Sequence, residues 1–171
     1  WLQEDKPDLE NVLFCSSDLP AITAANVDSF VESCEPFDKG IYYILLPKEA
    51  LEARFPGSKR TYVKLKGMEV AGGDMAIAKA AMADSNEELW RTLTNARKHA
   101  WKLASTIGIS FLLKYLFHQL SIEDIERKAG QIIGQPGRIL TDAPAEIAMD
   151  VDKPAQLELL RADLRSRQNE Q

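Results

Sequence analysis

Cysteine, histidine and positive charge are all scarce in this chain, and each shortage argues against a class of protein. The two cysteines, Cys15 and Cys34, are too few for a disulfide framework, so we interpret both as buried thiols of a reducing, cytoplasmic compartment. The two histidines, His99 and His118, have no partners at the spacing of metal ligands. A net charge of −5 argues against nucleic-acid partners, which need a basic surface.

Long apolar runs are also missing. The most apolar stretch, residues 107–120, is too short to span a bilayer and contains Lys114 and His118. We therefore expect no membrane span. The stripe of Phe111, Leu112, Tyr115 and Leu116 within it is predicted to pack in the core, with an oligomer contact, such as a homodimer, or a lipid-facing patch as alternatives.

Alternating strands and helices predict a single α/β domain, 1–171, with a Rossmann-like, mainly parallel sheet. Apolar runs and period-2 alternation predict strands at 12–16, 41–47, 61–65, 69–71, 75–78 and 138–141, and residues 146–151 are expected to lead out of the sheet. Helical spacing predicts helices at 24–34, 48–55, 86–106, 109–120, 122–133 and from Pro154 to about 165. The sequence therefore predicts a helical insertion near residues 84–134.

Two aspartate clusters lie at opposite ends of the sequence, each after an apolar run. Asp18 follows VLFCSS, while Asp150 and Asp152 follow AEIAM and precede a helix. In open α/β sheets, ligands bind outside the carboxyl ends of the strands, so these acids are expected to meet. Taken singly, each has an ordinary interpretation as a turn or N-cap aspartate.

A glycine pair followed by an acid, Gly72-Gly73-Asp74, stands inside a predicted strand region. Such a pair indicates either a β-bulge or the close approach of a ligand or another backbone. The acid at position 74 favours hydroxyl groups in a ligand or adds a further carboxylate near a metal.

Basic residues supply candidates for phosphate contacts. Arg97 shares a predicted helix face with Trp90 and Trp101, and a cation bordered by aromatics is well placed to hold a phosphate. Arg60 and Lys98 are further candidates, although a solvated charged face is the ordinary interpretation of such residues.

Several segments together resemble the nucleotidyltransferases related to molybdenum-cofactor guanylyltransferase. VLFCSSDLPAITAANVDSF is similar to their strand, Asp-Leu-Pro and following helix, and AEIAMDVDKPAQLELLRADL is similar to their closing segment. KRTYVKLKGMEVAGGDMAIA, ARKHAWKLA and LSIEDIERKAGQIIG resemble a subgroup called nucleotidyltransferase-like, so the resemblance covers roughly residues 10–165.

The resemblance implies that a phosphorylated acceptor, a sugar phosphate or cofactor precursor, attacks an NTP and releases pyrophosphate with Mg²⁺ as cofactor. It implies that Asp18 and Asp152 are catalytic metal ligands, with Asp150 a lesser candidate. The acceptor would face Gly72, Gly73 and Asp74, where related enzymes often have Gly-Gly-Asn or Gly-Asn, together with the basic residues Arg60, Arg97 and Lys98.

One element of the resembled family, its triphosphate-binding loop, is missing from the sequence. In that family, a first strand leads into a Gly-rich loop that is followed by a basic residue and cradles the triphosphate. No stretch of this sequence matches such a loop. The given sequence begins WLQEDKPDLEN, without Met. We therefore expect this loop upstream of Trp1 or not at all. Two alternatives stay open: a non-catalytic ligand-binding or interaction domain of the same fold, and a metal-dependent glycosyltransferase.

Overall fold

The structure, a computed structural model, describes residues 8–82 and 108–169. Five strands lie in this part of the chain: β1 Asn11–Cys15, β2 Ile41–Pro47, β3 Val63–Leu65, β4 Met68–Lys79 and β5 Gly137–Leu140. The helices are α1 Ala24–Ser33, α2 Lys48–Arg54, α3 Ile109–Leu116, α4 Ile122–Ile133 and α5 Pro154–Asn169, with a 3₁₀ helix at Ala145–Ala148. The α/β expectation is confirmed, and α3 and α4 follow β4 where a helical insertion was expected. The helix predicted at 86–106 lies outside the described residues.

The sheet is mixed, which corrects the expectation of a mainly parallel sheet. Its order is β1-β4-β2-β5, with β3 also paired to β4. β4 runs antiparallel to β1, β2 and β3, and β2 with β5 is the parallel pair of the described sheet. β4 is one strand of 12 residues that continues through the glycine pair, where two short strands were predicted. It follows β3 through a turn at Gly67, whose φ of 81° suits glycine, so it reverses direction.

β2 lies inside the sheet and supplies much of the core. Its apolar run is paired on both edges, by β4 and β5, so this run is not an edge of the described sheet. Tyr42, Ile44 and Leu46 are at most 1% exposed and belong to a cluster that includes Phe30, Leu51, Met149 and Leu160. Burial of this kind is the main favourable contribution to folding.

β1, which carries one of the two thiols predicted to be buried, is an outer strand of the described sheet. Leu13 and Phe14 are 39% and 53% exposed. Cys15 is also exposed, so only Cys34 is the buried thiol that the sequence predicts. An apolar run cannot by itself distinguish a central strand from an outer one.

The closing segment before α5 is not a strand. Residues Ala145–Ala148 form a short 3₁₀ helix, with Ile147 and Ala148 fully buried, and α5 then extends to Asn169 rather than to about 165. The predicted strand exit at 146–151 is therefore wrong. Asp150 and Asp152 still lie directly before α5, in the connection from the 3₁₀ helix.

The apolar stripe on α3 is not core. α3 contains no buried residue, and Tyr115 and Leu116 are 47% and 67% exposed, while Phe111 is half-buried beside the small cluster around Leu120. The core prediction is therefore wrong for most of this stripe. Among the described helices, none has the length and apolarity needed to cross a bilayer.

Candidate metal and acceptor site

The candidate site lies in a gap along one edge of β4. β2 pairs with the other edge, whereas β1 and β3 share this one, and among the described strands none pairs with residues 71–74 on this edge. Two groups occupy the gap: the Ser16 N–H donates to the Asp74 carbonyl at 2.9 Å, and Arg60 Nη2 donates to the Gly72 carbonyl at 3.1 Å. Unpaired backbone groups of an inner strand are thus satisfied by the residues that build the site.

Asp18 is positioned by the end of β1 and by the turn that follows. The Ser16 hydroxyl donates a short hydrogen bond to Asp18 Oδ1. Leu19 and Ala21 are 5% and 0% exposed, which anchors the turn to the core. Thr23 then caps α1 through a capping box with Asn26. The carboxylate of Asp18 is left exposed on a well-anchored turn.

Asp150 and Asp152 are positioned by a buried amide. Gln156, 1% exposed, accepts hydrogen bonds at Oε1 from the N–H groups of Asp152 at 3.0 Å and Lys153 at 2.9 Å. These bonds satisfy backbone donors at the start of α5 and hold the connection that carries both acids.

The two aspartate clusters converge. One carboxylate oxygen from each of Asp18, Asp150 and Asp152 lies within 4.8 Å of the other two. Asp150 is buried, and the other two are exposed. Carboxylates this close repel one another unless a cation lies between them, and hard oxygen ligands are those that Mg²⁺ prefers. The donor set therefore fits Mg²⁺.

Arg60 is engaged by the protein itself. Its side chain, 11% exposed, forms a close ion pair with Asp150 and lies 3.5 Å from Asp74 Oδ2, in addition to its bond to Gly72. The guanidinium thus supplies positive charge on the inner side of the carboxylates. Its predicted contact with an acceptor stays a prediction.

Asp74 lies close enough to the carboxylates to be affected by their charge. Burial raises the pKa of Asp74, the Arg60 guanidinium opposes this rise, and the charges of Asp18 and Asp152 add to it. In the described part of the chain, the buried atoms Asp74 Oδ2 and Asp150 Oδ1 find no hydrogen-bond partner, although both face Arg60. Asp74 is therefore a fourth acid at the same site.

The glycine pair marks an irregularity in the strand pairing. Tyr43 pairs with Ala76 and Leu45 with Gly72, so a single residue of β2 faces three of β4. A Cβ on Gly73 would lie 2.7 Å from Ile44 Cβ, and one on Gly72 would lie 2.9 Å from Tyr43 Oη. The bulge that the sequence allowed is present, and the groups that approach both glycines are side chains of β2.

Tyr43 is not among the candidate site residues predicted from the sequence. Its neighbours Tyr42 and Ile44 are fully buried, whereas Tyr43 is 38% exposed on the other side of the strand. A continuous apolar run shows no period, so nothing in it distinguished the two tyrosines. The predicted acceptor contacts Arg97 and Lys98 lie outside the described residues.

The chain has a relative of known structure. It is 32% identical to a hypothetical transferase from Thermus thermophilus, over 92% of this chain and 69% of that protein, with a TM-score of 0.77. The chain belongs to the family of that protein. No protein-family model and no curated protein matches it. Family membership supports a transferase fold and, at a general level, a transferase function.

Proposed function

We propose that this protein is an Mg²⁺-dependent nucleotidyltransferase that joins an NMP from NTP to a phosphorylated acceptor, such as a sugar phosphate or cofactor precursor. The observation that supports this most strongly is the approach of Asp18, Asp150 and Asp152 to within 4.8 Å of one another. The family relationship to a hypothetical transferase and the resemblance of the flanking segments to nucleotidyltransferases support it further.

Two aspartates are the proposed metal ligands. Asp18 and Asp152 would hold Mg²⁺ because their carboxylates are exposed, whereas Asp150 is buried and paired with Arg60. Few carboxylates suit Mg²⁺, which completes its coordination with phosphate oxygens and water. When bound, Mg²⁺ neutralises negative charge on the phosphates.

The reaction depends mainly on the positions of the acceptor phosphate and the NTP. An oxygen of the acceptor phosphate forms a bond to the α-phosphorus of the NTP, the bond from that phosphorus to its bridging oxygen breaks, and pyrophosphate leaves with the electron pair. Gly72, Gly73 and Asp74 would line the acceptor. Arg60 would hold Asp150 and Asp74 in place, because its positive charge offsets the repulsion between the neighbouring carboxylates.

The test is pyrophosphate release by the intact gene product, with Mg²⁺, each of the four NTPs and a panel of phosphorylated acceptors. We expect release that Asp18→Asn and Asp152→Asn lower at least 100-fold, since each removes a ligand charge. Asp28→Asn, an exposed change on α1, is the control and should retain wild-type activity.

Metal binding gives a second readout. Mg²⁺ should raise the melting temperature of wild type and of Asp28→Asn, but not that of Asp18→Asn. The proposal fails if wild type releases no pyrophosphate or if Asp18→Asn releases it at the wild-type rate. Transfer from a nucleotide sugar without pyrophosphate would instead identify a glycosyltransferase. A folded protein without either activity would identify a non-catalytic domain.

A further inference from the structure

Tyr43 stands on the strand next to the glycine pair, on the side of β2 opposite the core. Its ring is 38% exposed, and its hydroxyl lies over Gly72, where an added Cβ would come within 2.9 Å of Oη. The position is therefore open only because residue 72 has no side chain. A central strand thus presents a partly exposed phenol within reach of the charge of Asp74.

The charges of the candidate site act on this phenol. Burial raises the pKa of Tyr43, the charge of Asp74 raises it further, and Arg60 opposes the rise. The hydroxyl consequently remains protonated at neutral pH. A phenol can donate and accept a hydrogen bond, whereas a carboxylate accepts only, so Tyr43 and Asp74 together suit a ligand rich in hydroxyls.

We propose that Tyr43 is a specificity-determining residue that contacts the acceptor and, with Asp74, selects acceptors whose non-phosphorylated part carries free hydroxyl groups. This inference rests on the proposed function. The ring supplies an apolar face for the carbon skeleton of such an acceptor, as aromatic side chains do when one end is apolar and the other polar. The negative charge of Asp74 disfavours a second phosphate at this position.

Gly72 leaves the space that the Tyr43 hydroxyl occupies. The atom that a Cβ at position 72 would meet is the far end of the Tyr43 side chain, since Tyr43 Cζ is 3.9 Å away. Gly72→Ala should therefore fold and displace the phenol. Tyr43→Phe removes the oxygen that clashes, so the double variant should place the ring back over residue 72.

The experiment measures steady-state pyrophosphate release with hexose 1-phosphates and with n-hexyl phosphate, which carries the same phosphate without hydroxyls. Tyr43→Phe should raise KM for the preferred hexose phosphate about 10-fold, the effect of one hydrogen bond, and leave KM for NTP unchanged. Gly72→Ala should raise the same KM at least as much. The double variant should match Tyr43→Phe rather than show the product of both effects. Tyr43→Phe should change n-hexyl phosphate turnover less than twofold.

Tyr115→Phe, on the exposed face of α3, is the matched control and should change neither KM. An acceptor KM within twofold of wild type in Tyr43→Phe overturns the inference while leaving the proposed function intact. Equal rises in both KM values, or multiplicative effects in the double variant, overturn it as well. If wild type releases no pyrophosphate with any acceptor, the proposed function fails and this inference fails with it.

Discussion

Arg167, near the end of α5, donates a hydrogen bond from Nη1 to the backbone carbonyl of Ala21 at 3.1 Å. Ala21 belongs to the turn that carries Asp18. The same guanidinium lies 3.4 Å from Glu146 and 2.9 Å from Asp163. Glu146 opens the 3₁₀ helix that leads to the other aspartate cluster, so one side chain connects both parts of the candidate site.

Removal of Arg167 should destabilise the fold. Arg167→Ala leaves Glu146 and Asp163, whose side chains are 15% and 16% exposed, with Arg54 as their remaining cation, so we expect a loss of about 1–3 kcal/mol in the free energy of unfolding. Urea unfolding monitored by circular dichroism measures it. Arg161→Ala removes an exposed pair with Glu158 on the same helix and should cost under about 1 kcal/mol. Equal losses in the two variants would contradict this structural role of Arg167.

Loss of Arg60 should lower the free energy of unfolding more than loss of Arg167 does, because Asp150 would then be a buried charge without its partner. We expect Arg60→Gln to lower the free energy of unfolding by about 3 kcal/mol. Mg²⁺ should recover part of this loss, since a bound cation replaces the missing charge; melting temperatures with and without Mg²⁺ measure it. Lys48→Gln, which removes a partly exposed pair with Glu69, is the control. A loss that Mg²⁺ leaves unchanged would argue against a cation site beside Asp150.

Asp124 should make stability fall in acid. The hydrogen bond from Lys114, with those from the Ser121 N–H and Arg127, lowers the pKa of Asp124 from 3.8 to about 2. A lowered carboxyl pKa contributes stability that is complete above the unfolded value and is lost as pH falls through the folded one. The urea midpoint should therefore decrease between about pH 4 and 2, and Asp124→Asn should show a shallower decrease. Asp28→Asn should follow wild type; identical profiles for Asp124→Asn and wild type would refute the assignment.

The two cysteines should react at different rates. Cys15 is exposed, whereas Cys34 is fully buried, and burial raises the pKa of the Cys34 thiol to about 11. Since the thiolate is the nucleophile, a thiol reagent at pH 8 should label one group in the native protein and the second only in urea. Cys15→Ser should abolish the fast phase. Fast labelling of both cysteines in native wild type would contradict the burial of Cys34.

Two helices of this structure are capped by interactions between neighbouring residues. Thr23 caps α1, Ser121 and Asp124 form the capping box of α4, and Gly134 ends that helix with φ 77°. These devices act within one turn, so sequence spacing suffices to recognise them. Strand direction was not recognisable in this way, because period-2 and apolar patterns are the same for parallel and antiparallel neighbours.

By itself, then, the sequence determined the α/β class, the first residues of the described helices and the candidates Asp18, Asp150 and Asp152, because each depends on residue type and local spacing, whereas α3 ends at Leu116 rather than at 120 and α5 extends beyond the predicted end. Tertiary structure decided which charges face one another and which face of a strand is open. The approach of the aspartates to within 4.8 Å, the pairing of Arg60 with Asp150 and the exposure of Tyr43 all depend on long-range packing. Electrostatic and steric contacts act over a few ångströms in space, and residues 18 and 152 meet only because the sheet and α5 bring them there.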